Sequence, residues 1–351
     1  MLNSIISFFS SVWPYILALI CFLFLIVIHE FGHFIAAKIL GVKVNEFSVG
    51  FGPKILNKKG KETEYSLRLV PLGGFCAMEG EQEQSADGRA FCNKSPLKRF
   101  IIVAMGAIFN LIFGIILIAI VLSPEQKYAS TKVAEFSADA TSNSAGGLME
   151  DDVIVEVEGR KIYTWYDLAY NFSAVKDGKL DMKVKRQGET VKLNDVSFRT
   201  ETQQGYNVIS LDFKVYAIKK SFKSFISQTA KTSVSYSRIV LFSLVDLIGG
   251  RYRVSDISGP VGVTAAIGEA AKVSLMGMFS ILSLISINLG IFNLLPIPAL
   301  DGGRLFFILI EMIFRKPISP KRENLVHAIG MVILLLFMGL VTFKDIWVRI
   351  F

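Results

Sequence analysis

Four apolar blocks decide what this chain can fold into. Ser11 to Ile28 is almost wholly apolar, and so are Phe100 to Leu122, Leu275 to Leu295 and Ala328 to Val341. Each is near the roughly 20 residues that a helix needs to cross the hydrocarbon core of a bilayer, where every backbone polar group must be satisfied internally. Of the 351 residues, 52% are hydrophobic and only 19% charged, too apolar a balance for an ordinary soluble domain of this size. The expectation is a polytopic α-helical membrane protein with about four transmembrane helices. No Lys or Arg precedes the first block, no small-residue cleavage site ends it, and it runs straight into His29 and Glu30. It therefore reads as a retained span and not as a secretory signal.

Charge in the short loops sets the expected orientation. Lys38, Lys43, Lys54, Lys58, Lys59, Lys61, Lys94, Lys98 and Arg99 lie between the first two blocks, whereas residues 1–28 carry no basic residue. Loops rich in Lys and Arg stay in the cytoplasm, so the N-terminus is expected outside and this loop inside. Counting spans then places the segment from about Ser123 to Val273 outside, and Arg304, Arg315, Lys316, Lys321 and Arg322 inside. The net charge of +8 follows from this topology and from contact with the anionic lipid bilayer. No groove-reading motif points to nucleic acid. Cys21, Cys76 and Cys92 form an odd set without C-x-x-C spacing, as expected of buried or free thiols and not of structural disulfides.

Four segments follow. Residues 1–122 hold the first two spans and the loop between them. In that loop Glu64 to Leu69 alternates polar and apolar, Phe47 to Phe51 does so too, and Lys58-Lys59-Gly60-Lys61 supplies a turn, which together predict a cytoplasmic, membrane-associated β-hairpin. The acidic, aromatic-free stretch Glu79 to Gly88 reads as a loop. Residues 123–216 have the pattern of a soluble α+β domain, with strands expected at Val153 to Val157, Leu180 to Lys185 and Val208 to Phe213 and a helix over Asp167 to Val175. Residues 217–273 are amphipathic, too polar to span, and read as helices lying along the interface or packed on the bundle. Residues 274–351 hold the last two spans.

The chemistry concentrates at His29-Glu30-Phe31-Gly32-His33. On a helix the H-E-x-x-H spacing stacks two imidazoles on one face, so that both reach one metal. Glu30 stands aside from that face, as a general base acting on metal-bound water must. Such groups are costly at membrane depth and are functional there by default. A catalytic zinc needs a third protein ligand and an open position. Two residues are available: Asp301, in a run broken by Pro296 and Pro298 and followed by Gly302 and Gly303, and His327 at the start of the last span. Asp301 also reads as a helix cap, and His327 as an interfacial histidine.

These motifs together resemble the site-2 protease family of intramembrane zinc metalloproteases, in particular its bacterial regulator-of-sigma-E branch. The resemblance rests on H-E-x-x-H in the first span, Asn293 to Gly303 with its L-D-G, Phe51-Gly52-Pro53, Pro71-Leu72-Gly73-Gly74-Phe75 and Ser258-Gly259-Pro260-Val261-Gly262, and it covers nearly the whole chain. It implies Zn2+ held by His29, His33 and Asp301, with Glu30 catalytic. Gly106 to Asn110 is similar to the family's G-x-x-x-N, which implies that Asn110 binds substrate or its transition state. Asn293 matches a position thought to contact substrate. Ala145 to Gly159 is similar to the core of a PDZ domain, with Asp151 where Gly is usual, implying one inserted extracytoplasmic PDZ-like domain.

The resemblance further implies a multi-pass protein of the bacterial cytoplasmic (inner) membrane, its active site near the cytoplasmic face. Its expected substrates are single-pass transmembrane proteins, such as anti-sigma factors or remnant signal peptides. A peptide bond inside a helix is shielded, so a substrate must be unwound, and the free edge of the hairpin at Glu64 to Leu69 is the expected clamp, with Asn110 and Asn293 holding the extended backbone. The contrasting reading is a non-catalytic scaffold that uses the PDZ-like domain to hold partners and carries a vestigial metal site.

Overall fold

A computed structural model of the chain describes residues 2–81, 83–203, 205–316 and 319–350. In chain order these form α1 (Leu2–Ile39), β1 (Val44–Lys59), β2 (Glu64–Met78), α2 (Pro96–Leu122), β3 (Lys127–Phe136), β4 (Val153–Val157), β5 (Arg160–Lys161), α3 (Trp165–Phe172), β6 (Lys179–Arg186), β7 (Glu189–Ser197), β8 (Thr200–Gln203), β9 (Tyr206–Ile209), β10 (Phe213–Lys219), α4 (Phe222–Ile248), α5 (Pro260–Val273), α6 (Leu275–Phe292), α7 (Asp301–Phe314) and α8 (Pro320–Ile350). They fall into two compact units, one of Met1–Leu117 with Ile257–Phe351 and one of Ile118–Asp256.

In the first unit, together with the end of α2, four helical stretches are long and apolar enough to cross a membrane: Trp13–Ile39, Pro96–Leu122, Leu275–Phe292 and Lys321–Trp347. Each overlaps one of the four apolar blocks and differs from it at the ends: the second begins at Pro96 and the fourth runs from Lys321 to Trp347, both longer than expected. The first continues unbroken past Ile28, carrying H-E-x-x-H as helix, and stops where Gly41 takes φ +72 and the Val42 amide returns to the Ala37 carbonyl, a glycine-dependent helix stop. The third ends at Phe292 and not at Leu295, because Pro296 and Pro298 cannot extend the helical hydrogen-bond ladder.

Small residues let these helices approach where lipid offers no hydrophobic drive between them. A Cβ on Gly32 of α1 would overlap the Met105 carbonyl of α2, and one on Gly290 of α6 would lie 2.9 Å from the Ala107 carbonyl. Fully buried Ser286 of α6 donates to the Asn110 carbonyl at 2.7 Å. The Ser258 to Gly262 motif also finds its use here. The Gly259 and Gly262 amides each donate to the Asp345 carboxylate of α8 at 2.8 Å, so a carboxylate caps the N-terminus of α5.

The hairpin is longer than the alternation indicates, and it bends. Its C-terminal arm pairs conventionally, with Lys59 opposite Glu64 and Lys54 opposite Arg68, but Glu46 to Val49 lies between Glu64 to Leu67 on one side and Gly74 to Ala77 on the other. Gly50 and Gly52, at φ +86 and +82, turn β1 out of line. The Glu64 to Leu67 segment is thereby paired on both sides. This corrects the expected clamp over that segment, whereas Lys54 to Lys59 and Gly74 to Met78 are paired on one side.

The second unit has an antiparallel sheet in the order β10-β3-β4-β6-β7, with β5 on β4. Its core includes Val133, Leu148, Ile154, Leu168, Met182, Val184 and Phe213. The expected strand over Val208 to Phe213 is two strands, β9 and β10, separated by Ser210 to Asp212. Asp212 is occupied as an acceptor for the Thr141 and Ser142 amides. The unit also extends beyond residue 216 to take in α4. The buried Asp246 side chain of α4 joins Arg160, Tyr170 at 2.7 Å and Arg251 at 3.4 Å.

Two outcomes follow from this packing. Gly32→Ala is expected to force α1 and α2 apart at about 1–3 kcal/mol, read as a lower midpoint of thermal unfolding in detergent. Burial raises the Asp246 carboxyl, but Arg160, Tyr170 and Arg251 outweigh it and hold it below the usual carboxylate range. A depressed folded-state value means that this stabilisation is present above the ordinary carboxylate value and fades as pH falls below it. Asp246→Ala should cost this unit about 3–5 kcal/mol near neutrality, and less in acid, measured as faster amide exchange across β4 and β6.

Candidate metal centre

The H-E-x-x-H helix places its two imidazoles one above the other, and the turn after α6 brings a carboxylate to them. Asp301 Oδ2 lies 2.9 Å from His29 Nε2 and 3.2 Å from His33 Nε2, and the two Nε2 atoms are 3.2 Å apart. His29, His33 and Asp301 are the metal-competent cluster found among the described residues. Ligands about 2.0–2.1 Å from a tetrahedral zinc stand roughly 3.3 Å from one another, so the observed spacing fits that ion. Asp301 Oδ2 is buried and makes no hydrogen bond despite its two close nitrogens. Three lone pairs converging on one point fit a metal held between them.

Two features of the chain deliver Asp301. α6 ends at Phe292 with Asn293 as its C-cap, and Leu294 to Leu300 turn back so that α7 begins at Asp301 itself. Ala299 takes φ +77, sparsely populated for a residue with a Cβ. Its amide donates to His327 Nδ1 at 3.3 Å. His327 therefore belongs to the support of this loop and stands outside the ligand cluster. Gly302 and Gly303 are required because a Cβ on the first would overlap the Leu295 carbonyl and one on the second would lie 2.7 Å from that of Ile297.

Glu30 stands outside the cluster as well, and it faces the hairpin: a Cβ on Gly74 would lie 3.5 Å from its Cγ. A cleft of about 710 Å³ opens here, lined by Glu30, His33, Phe75, Cys76, Asp301 and Arg304 among others. The one-sided edge of β2 thus borders the candidate metal ligands. Arg304, one turn along α7 from Asp301, pairs with Glu81 at 2.6 Å and ties the loop after the hairpin to the helix that carries the carboxylate. Burial, reinforced by Glu30 and Glu81, pushes the Cys76 thiol well above its ordinary value, so it stays protonated and unreactive.

The structure brings His29, Glu30, His33, Asp301 and Asn110 into one neighbourhood. Asn110 Nδ2 is 3.3 Å from His29 Nδ1. Asn293 is the C-cap of α6 and is not among the residues that line the cleft. Sequence reasoning missed Arg304, Glu81 and the Ile102 carbonyl, which lies 2.9 Å from His33 Nδ1. Of these the sequence marks only Arg304, as a basic residue of the short loop expected inside.

Comparison with known proteins agrees with this chemistry. A family model described as Peptidase family M50 matches residues 17–337. A protein of Clostridium acetobutylicum provisionally named a zinc metalloprotease is 36% identical over 340 residues, covering 97% of this chain and 98% of its own. The regulator of sigma-W protease RasP of Bacillus subtilis is 29% identical over 408 residues, covering 92% and 95%. The zinc metalloprotease RasP of Geobacillus kaustophilus is 28% identical over 426 residues, covering 98% of each. Removing one member of the cluster should be felt as lost metal: Asp301→Ala is expected to bring bound zinc from near-stoichiometric to trace, measured by elemental analysis of the purified protein.

Proposed function

The chain belongs to peptidase family M50, the site-2 protease family, and is a zinc metalloprotease; we propose that His29, His33 and Asp301 hold the zinc, that Glu30 is the general base, and that the enzyme cuts single-pass proteins at or near their transmembrane segments. The observation that carries this reading is the convergence of three ligand atoms, one of them an orphaned buried carboxylate oxygen, beside a cleft that Glu30 also lines.

Bound zinc would lower the pKa of a water and polarise the scissile carbonyl. The rest falls to the chain. Glu30 takes the proton of the attacking water and passes it to the leaving amine. It can do both because it stands beside the ligand face without belonging to it. The edge of β2 from Gly74 to Met78, paired only with β1, is placed to add an extended substrate segment as a further strand. Backbone hydrogen bonds then hold the unwound segment against the cleft independently of its side chains, and productive orientation supplies part of the rate enhancement. Asn293, at the C-cap of α6, remains a candidate substrate contact at the far end of the turn that bears Asp301.

The concentration of Lys and Arg in the loop between α1 and α2 supports a cytoplasmic location for that loop and for the zinc beside it, in a bacterial inner membrane with the N-terminus outside. The segment from residue 123 is then extracytoplasmic by span count. A PDZ-like identity for that unit is supported by Asp151, which adopts φ +68 and so supplies the conformation for which Gly is usual. The relative named for sigma-W regulation supports membrane-tethered anti-sigma factors as one substrate class; remnant signal peptides offer the same chemistry.

Glu30→Gln is the test. It is expected to abolish cleavage of a co-expressed single-pass substrate while the purified protein keeps its zinc. Proteolysis that persists in this variant would remove Glu30 from the role of base, and a zinc-free wild type that cleaves nothing would favour a scaffold.

A further inference from the structure

Positions 102, 106 and 110 follow one another at intervals of four along α2, and so lie on one face of that helix. On α1 the imidazoles of His29 and His33 are also four apart. The two series meet in antiparallel order. The Ile102 carbonyl lies 2.9 Å from His33 Nδ1, and Asn110 lies 3.3 Å from His29 Nδ1. Gly106 sits between them, where a Cβ would overlap His33 Nε2 and come within 2.9 Å of His29 Cε1. One face of α2 therefore forms the wall behind both imidazoles, open at its centre only because residue 106 has no side chain.

The Ile102 carbonyl can only accept, so His33 carries its proton on Nδ1 and leaves the Nε2 lone pair for the metal. Among the described residues, no backbone carbonyl is paired with His29 in this way. What faces its Nδ1 is the Asn110 side chain, which is 1% exposed, has His29 as its one hydrogen-bonding partner among the described residues, and leaves Oδ1 unpartnered. Buried Ser286 holds the Asn110 backbone in place through its carbonyl. This geometry counts against Asn110 as a substrate contact. The residue is sealed from solvent and turned toward the imidazole nitrogen remote from Asp301.

We propose that Asn110 is a positioning residue for the metal centre: with its amide turned so that Oδ1 accepts the His29 Nδ1 proton, it fixes the tautomer and ring orientation that direct His29 Nε2 to the zinc. The inference rests on the ligand set proposed above. Partners of this kind on metal-bound histidines typically contribute 10–100-fold in metal affinity.

The measurement is zinc affinity of the full-length protein in detergent, by competition with a chromophoric chelator, with no substrate present. Asn110→Leu, of similar size but without an acceptor, should bind zinc about 10–100-fold more weakly. Asn110→Asp keeps an acceptor at either oxygen and has no N–H to give, so it should stay close to wild type. Asn110→Ala adds no atoms to the buried site and replaces the Leu variant should that fail to fold, with the same weakening expected. His29→Ala is measured alongside. If it leaves affinity unchanged, the ligand set itself is wrong, and the inference falls with it. If His29→Ala weakens binding but Asn110→Leu or Asn110→Ala does not, or if Asn110→Asp is as weak as Leu, Asn110 alone is overturned and the ligand set stands.

Discussion

The contact between α1 and α2 at Gly32 and Gly106 is what the remaining structure depends on. Two imidazoles and two carboxylates inside a mainly apolar bundle are tolerable only if each has a partner or a metal, because unpaired polar groups are costly at that depth. The partners lie on α2, and they come within reach because both helices lack a side chain at the crossing. A bulkier residue at either glycine would displace the wall that orients the imidazoles, so the packing motif and the metal motif form one device.

Outward from that contact, each layer restrains the next. α6 is drawn onto α2 by Gly290 and Ser286, and its premature end at two prolines forces the turn that presents Asp301. His327 holds that turn at Ala299, and Arg304 reaches from the next helix to Glu81 after the hairpin. The hairpin places Gly74 beside Glu30. The same chain of contacts thus brings the candidate ligands, the candidate base and a one-sided strand edge together. Proteolysis of a membrane-embedded segment needs all three together, since the bond must be unwound and held as well as attacked.

The inserted unit follows a different logic. Its sheet has a conventional apolar core, and its buried charges occur in compensated sets, such as Asp152 with Arg186 and Asp246 with Arg160 and Arg251. Asp151 illustrates how a departure from a motif can be absorbed. Aspartate is among the few residues other than glycine that enter left-handed backbone conformations readily, and its carboxylate is paired with Lys132 at 2.6 Å.

Much of this was legible in the chain alone. The four spans follow from hydropathy because a bilayer imposes one length and one composition on any helix that crosses it. His29, Glu30 and His33 follow from a four-residue spacing because helical geometry converts that spacing into a shared face. Asp301 was one of two available ligands by residue type and was singled out by resemblance, since 268 positions separate it from His33 and only the turn after α6 closes that distance. What the tertiary structure alone decided are the relations that have no sequence period: which hairpin edge is left unpaired, that His327 supports a loop, and that Asn110 is turned toward an imidazole. Alternation along Glu64 to Leu69 records which side chains face which way, but a strand's free edge depends on how a long hairpin folds back on itself. A G-x-x-x-N motif says that two helices approach closely. Which atom each then offers to the other is settled only when both are in place.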